Sequence, residues 1–401
     1  MTTSQGAKKA QGRVALVTGG NGITGNAIIE YLATTTTTND WSKIIVTSNS
    51  PLESKIKDPR IIFIALDFTQ DSRTLIEQMQ PVCTQTTHTY FSSYIHKDDF
   101  RELNHANEKL FENFLQAITT VAPNLENVTL QTGGKYYNIH IQPARNPLRE
   151  DYPRAFPKSQ NFYYGQEDFL KEHQKGKNWS WNVIRPQAII GSTYKPNGMN
   201  SALTFALYFS ICKELGTKAP MPTNRRFWEG YDDVSYAPLI ADLTIFVSTR
   251  LSCANEAFNC TNGDVICWKY LWPQLAAYFG IDPADADVSA QINKVEEPLE
   301  GTAEQFFSLN TWAKDKRPVW DKLCEETKTA NSKKTFDCGT WQFQDWVFQR
   351  TWSALLSVSK ARRYGWTGYI DSLDSFIATF DELAKQGVIP KRDVMLIIFH
   401  F

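Results

Sequence analysis

At 401 residues the chain is long enough for one large domain or two ordinary ones with a sizeable buried core. Forty-two basic residues against 43 acidic leave a formal net charge of −1, which excludes the strong field that draws nucleic acid or an anionic membrane. The seven cysteines, at 83, 212, 253, 260, 267, 324 and 338, make no CxxC and no cluster with histidine, which argues against a zinc site or a disulfide framework and for reduced thiols in a cytoplasmic protein.

In chain order, the polar start from Met1 to Gln11 lacks the apolar core of a signal peptide and reads as a disordered tail. The apolar run Val14–Val17 predicts a strand that leads into Thr18-Gly19-Gly20-Asn21-Gly22-Ile23-Thr24-Gly25 and then a helix over 26–33. The threonine run 34–38 reads as a connector, because helix propensity disfavours it. Strands are expected at 43–47, 61–66, 87–91 and 127–131, with an amphipathic helix over about 98–118. The proline-broken stretch 151–158 reads as an excursion over the site, followed by a helix holding Tyr164 and a strand at 181–186. Helices at 201–215 and 236–251, Trp-rich helical stretches after Trp268 and a returning strand at 257–262 complete the chain, and the short apolar close Val394–Phe401 reads as a docked terminus.

Alternating strands and helices predict an α/β fold, a Rossmann-type doubly wound parallel sheet with a smaller, mostly helical C-terminal substrate lobe. The division expected is a cofactor domain over 12–191, its sheet completed from 230–265, with 192–229 and 266–401 forming the helical lobe. The 24 Phe, 16 Tyr and 12 Trp are read first as core packing and second as the lining of an apolar pocket.

Gly19, Gly22 and Gly25 satisfy GxxGxxG, and Gly20, Gly22 and Gly25 satisfy GxGxxG. Between a strand and a helix, such a turn brings backbone amides against a pyrophosphate. Thr18, Gly19, Gly22, Ile23 and Gly25 are therefore candidate cofactor residues. After the second strand, Ser48 and Asn49 stand where a carboxylate would select NAD, which favours NADP, with Lys55 within possible reach. Asp67 and Phe68 end the third strand, where such sheets meet the adenine.

Hydride chemistry on a carbonyl compound needs a donor that stabilises developing charge on oxygen, and a tyrosine beside a lysine, which lowers the phenol's pKa, serves. No YxxxK occurs here: Asp168 follows Tyr164 by four residues and Glu167 follows Tyr163 by four. Lys135, at the end of the fifth strand, supplies the ammonium from another segment. His88, His96, His105 and His140 read as structural, and Asp232-Asp233 and Glu296-Glu297 as solvated turns without metal-ligand spacing.

Thr18–Gly25, Leu130-Gln131-Thr132-Gly133-Gly134-Lys135-Tyr136-Tyr137, Asn161-Phe162-Tyr163-Tyr164-Gly165-Gln166-Glu167-Asp168, Arg185-Pro186 and Phe258–Val265 together resemble the progesterone 5β-reductase and iridoid synthase-like (PRISE) family of extended short-chain dehydrogenases/reductases. The likeness runs from about Arg13 through Trp268–Trp272 to Ser359–Gly365. It implies NADPH-dependent 1,4-reduction of α,β-unsaturated carbonyls in small-molecule or secondary metabolism. Tyr164, the second tyrosine of the motif, and Lys135 would hold the enolate, with Tyr163 as the fallback. The resemblance sets Ser93, Gln131 and Ile189 against the cofactor and Tyr94, Tyr136 and Asn200 against a small apolar enone, terpenoid or polyketide-like substrate. Ser48-Asn49-Ser50 replaces arginines found in many relatives, Tyr136 replaces a histidine, and 138–142 departs from the usual glycine-proline text. Direct 1,2-reduction, a reductive cyclisation and a non-catalytic NADP sensor stay open, as does a homodimer. No nucleic acid, membrane or metal is expected.

Overall fold

A computed structural model describes residues 12–391 except 98, 158–159, 197, 199 and 293–304. The N-terminal tail, Glu296-Glu297 and Val394–Phe401 lie outside the described residues. The central sheet holds β1 (Arg13–Thr18), β2 (Trp41–Ser48), β3 (Ile61–Ala65), β4 (His88–Phe91), β5 (Asn127–Gln131), β6 (Ser180–Pro186) and β7 (Glu256–Cys260), in the order β7-β6-β5-β4-β1-β2-β3. Every pairing is parallel. Strands covered on both faces need continuous apolar runs, and Val14 through Val17 are all at most 3% exposed.

The covering helices are α1 (Ile23–Thr35), α2 (Ser72–Cys83), α3 (Phe100–Val121), α4 (Phe162–Gln174), α5 (Ser201–Leu215), α6 (Arg225–Glu229), α7 (Ala237–Ser248) and α8 (Trp268–Tyr278). One face of the sheet carries α2, α3 and α4, which bury Met79, Phe114 and Leu170. The other carries α1 and α7, which bury Leu32 and Ala241. Chain direction across the sheet reverses between β1 and β4, so a crevice opens beyond their C-terminal ends, where doubly wound sheets bind ligands.

The threonine run departs from the sequence expectation, since α1 continues to Thr35. Propensity loses here to hydrogen bonds: Thr34 and Thr35 donate to the carbonyls of Glu30 and Tyr31 one turn back. Buried Arg60 then donates to the carbonyls of Leu32 and Ala33 at 2.9 and 3.1 Å, satisfying helix-end acceptors.

A second core gathers α5, α8 and the later helices Trp341–Phe348 and Ser372–Gln386. Trp272, fully buried, is ringed by Phe209, Phe205 and Phe348 with centroids 4.6, 5.0 and 5.9 Å away. Much of the aromatic content is thus core. All seven cysteines are free thiols, and no helix among the described residues is long and apolar enough to cross a membrane.

Candidate active site

Thr18, the last residue of β1, fixes the crevice's floor. Its hydroxyl accepts from the Ser92 amide at 3.1 Å and the Ser93 hydroxyl at 2.9 Å, and its carbonyl accepts from Ser92 Oγ at 2.8 Å. Gly19 follows with φ +66°, a conformation glycine adopts without strain. Gly25 serves packing: a Cβ there would stand 2.2 Å from the Gly19 carbonyl oxygen, so only glycine lets α1 lie this close to β1. At the start of α1, Gly22 is the cap residue with no side-chain hydrogen bond, and the first turn holds no acid. Uncapped amides with the positive end of the helix dipole fit a pyrophosphate. The residues present therefore fit a dinucleotide.

A cavity of about 330 Å³ continues from this turn towards the second core. Of the sequence-predicted cofactor residues, Gly22, Ile23, Ser93, Gln131 and Ile189 line it. Buried Gln131 Oε1 and Thr132 Oγ1 on this wall have no hydrogen-bond partner among the described residues, as groups reserved for a ligand would not. Tyr94 lines the mouth. Asp67 is exposed and accepts from the amide and hydroxyl of Thr69. Phe68 is a correction: its ring turns into the core, 5.2 Å edge-on to Phe114, because a large apolar side chain there is worth more buried than beside an adenine.

The tyrosine assignment is the principal correction. Tyr163, not Tyr164, lines the cavity with Lys135. Successive residues on a helix point about 100° apart. Tyr164 is fully buried on the other side, donating to the Tyr136 carbonyl at 2.7 Å and accepting from Asn138 Nδ2 at 3.0 Å. The Arg154 guanidinium sits 4.6 Å over its ring and pairs with Asp168 at 2.7 Å. Tyr164 therefore pins the 3-10 turn Gly134–Tyr137 from behind. Tyr164→Phe should cost stability by about 1–2 kcal/mol while leaving turnover within about threefold; a denaturation curve beside initial rates checks both, and a loss of turnover larger than a hundredfold would contradict the assignment.

Two asparagines bring Lys135 and Tyr163 to one wall. Asn161 caps α4 by accepting from the Tyr163 amide at 3.1 Å, and its Nδ2 donates to the Lys135 carbonyl at 2.7 Å. Asn138, at φ 57°, closes the turn through its amide to the Lys135 carbonyl at 3.0 Å. Gly133 lies under the phenol, since a Cβ at Gly133 would be 3.3 Å from Tyr163 Oη.

Where a YxxxK helix would carry lysine, Glu167 is fully buried and paired with Arg185, Nη2 to Oε1 at 2.9 Å. Arg185 in turn lies 3.4 Å over the ring of Tyr136. Tyr136 is thus a correction too: it supports the lysine turn and does not face the cavity, because the buried guanidinium needs its ring. Asn200 is a fourth, being the cap of α5, with Oδ1 accepting from Leu203 N at 3.3 Å and Nδ2 donating to the Gly191 carbonyl at 2.8 Å. Asp232 and Asp233, expected in solvent, are 5% and 2% exposed, and Asp232 is held by Arg350 at 2.5 Å.

Burial pulls the Lys135 ammonium below its ordinary value. Burial, with Tyr94 adding to it, pushes the Tyr163 phenol up, so the expected lowering by lysine is not what dominates, and the phenol stays protonated. His140 was read as structural, yet it lines the cavity, where burial and then Lys135 pull it down to about 4 and keep it neutral. The far wall comes largely from a segment without any motif, Phe343, Trp346 and Val347; Phe205, Trp268 and Phe376 line the cavity too, and Asp232 and Arg350 add a polar point. The sole hint in the sequence was the late tryptophans.

This sheet and site define an oxidoreductase of the extended short-chain dehydrogenase/reductase class. The family model described as a PRISE-like Rossmann-fold domain matches residues 15–321, and the chain belongs to that family, as its motifs suggested. It is 58% identical over 379 residues to the "Short chain dehydrogenase gsfE" of Penicillium aethiopicum, covering 94% of this chain and 100% of that one. It is 32% identical to the "3-oxo-Delta(4,5)-steroid 5-beta-reductase" of Arabidopsis thaliana, over 94% of this chain and 93% of that one. Among solved structures it is similar to the Bordetella bronchiseptica enzyme WbmG in complex with NAD and UDP, with TM-score 0.61 and 17% identity over 94% and 97% of the two chains, a likeness of fold.

Proposed function

We propose that the chain is an NADPH-dependent reductase of α,β-unsaturated carbonyl compounds in secondary metabolism, with Tyr163 as the phenol and Lys135 as the ammonium of the site. The observation that carries this reading is the shared wall: a protonated phenol and a desolvated lysine facing an otherwise largely apolar cavity beyond an uncapped helix start. A relative whose name states reduction of a 3-oxo-Δ4,5-steroid, an enone, adds support.

When bound, the dihydronicotinamide supplies a hydride to the β-carbon. The C=C π pair then shifts to join the α-carbon to the carbonyl carbon, and the carbonyl π pair moves onto the oxygen. Tyr163 Oη donates a hydrogen bond to that oxygen and Lys135 adds positive field, both from buried side chains, where such charge stabilisation is stronger than in bulk water. A proton from solvent completes the α-carbon. Cofactor residues are Thr18, Gly19, Gly22, Ile23, Ser93, Gln131 and Ile189, and Tyr94 meets the substrate at the mouth. The absence of a carboxylate after β2, with Ser48 and Ser50 hydroxyls in its place, favours NADP over NAD.

Product analysis after incubation with NADPH and a panel of cyclic and linear enones tests the reading: a saturated ketone is expected, and an allylic alcohol or an inert enzyme would overturn it. The pH profile follows from the same groups. Because Lys135 loses its proton below the ordinary lysine value, kcat/KM should fall on the alkaline side at a pH under 10.5, with no limb from His140 between pH 5 and 8. A profile still rising at pH 10 would contradict a cationic Lys135.

A further inference from the structure

We infer that Lys195, reaching back from the segment that leads into α5, is the cation that recognises the 2′-phosphate of NADP, in place of a basic residue at the end of β2. The inference rests on the NADP reading above. Asn21, in the glycine turn, donates through Nδ2 to Ser48 Oγ at 3.1 Å and to Ser50 Oγ at 3.1 Å, and its Oδ1 accepts from the Glu53 amide at 2.9 Å. The glycine turn and the end of β2 are thus locked together with two hydroxyls side by side. Lys195 Nζ then donates to Ser50 Oγ at 3.1 Å from 145 positions along the chain. Its backbone is held by Thr193, whose hydroxyl donates to the Lys195 carbonyl at 2.7 Å.

The chemistry at this corner suits a phosphate monoester. Among the described residues the hydrogen-bond partner of this ammonium is a neutral hydroxyl, whereas a dianionic phosphate would take the ammonium and both serine hydroxyls in charge-assisted hydrogen bonds. The position is right as well, because the end of the second strand is where doubly wound sheets distinguish the two dinucleotides. The rival cation, Lys55, stands at the same corner, 5.5 Å over the ring of Tyr194 beside Lys195, but of the two it is Lys195 that reaches the Ser50 hydroxyl. Asn49 is exposed and brings no charge. A lysine arriving from the far side would grip the adenosine end between the sheet and the segment entering the helical lobe.

Calorimetric titration of the full chain with NADPH, NADH, 2′,5′-ADP and 5′-ADP tests this without any turnover. In wild type, 2′,5′-ADP should bind more tightly than 5′-ADP. Lys195→Ala should weaken NADPH and 2′,5′-ADP by roughly ten- to a hundredfold, the span of one to two charge-assisted hydrogen bonds. NADH and 5′-ADP should move less than about twofold, which also serves as the control for folding. Lys195→Arg should restore most of the preference, and Lys55→Ala should cost little. If wild type shows no preference for the 2′-phosphate, the NADP reading fails and this inference falls with it. If wild type prefers it but Lys195→Ala keeps the preference, or Lys55→Ala abolishes it, the assignment of Lys195 alone is overturned.

Discussion

Tyr163→Phe should lower kcat by about 10²–10³-fold, the usual cost of removing one oxyanion donor, while the dissociation constant for NADPH changes little. The phenol faces the cavity, stays protonated because burial pushes its pKa up, and among the described residues has no acceptor competing for its proton. Its interaction strengthens only as charge develops on the substrate oxygen, so the loss belongs to the transition state. Steady-state kinetics beside a cofactor titration separates the two quantities. Tyr163→Phe with unchanged kcat, or with NADPH binding lost in proportion, would refute the role. Beside the near-normal turnover expected for Tyr164→Phe, the pair of variants decides which tyrosine acts.

Glu167→Gln should destabilise the fold by about 3–5 kcal/mol, since it leaves the Arg185 cation buried without its counter-charge. Arg185 is 2% exposed and Glu167 fully buried, joined also through Nε to Oε1 at 3.1 Å. The same guanidinium stacks on Tyr136 and donates to Tyr137 Oη at 3.3 Å, and Tyr137 donates to Asn259 Oδ1 at 2.6 Å. The pair therefore ties α4, β6, β7 and the turn that delivers Lys135, and part of the activity should go with the stability. The double variant Glu167→Leu with Arg185→Met should be less destabilised than Glu167→Gln alone, because no charge is then left unpaired. Urea denaturation of the three proteins gives the comparison; a shift under about 1 kcal/mol for Glu167→Gln would mean that solvent reaches the pair.

The sheet was legible because parallel strands announce themselves as apolar runs, and the helix 201–215 because its seam is apolar throughout and its ends are marked by Asn200 and Gly216. That same asparagine, taken for a pocket residue by resemblance, stands where a cap belongs, a signal available in the sequence. The choice between Tyr163 and Tyr164 was harder. Order along the chain does not give the rotation of a helix, which here is set by partners far away: Arg185 on Glu167, Arg154 on Asp168, and the turn beneath Tyr164. Two carboxylates three and four residues beyond Tyr164 were the available hint that its face meets cations and not a substrate. Asp232-Asp233 misled for a related reason, since Arg350 lies 118 positions away and no local pattern announces the pairing. Phe343 and Trp346 carry no motif at all and reach the cavity from the helix Trp341–Phe348, whose Trp341 and Phe348 belong to the second core.

The most direct measurement is the position of the label after reduction of one cyclic enone by the wild-type protein with NADPH deuterated at C4 of the nicotinamide. Deuterium on the β-carbon of a saturated ketone is the predicted product. Deuterium on the carbinol carbon of an allylic alcohol would show the wall of Tyr163 and Lys135 holding an alkoxide and not an enolate, and would contradict the account.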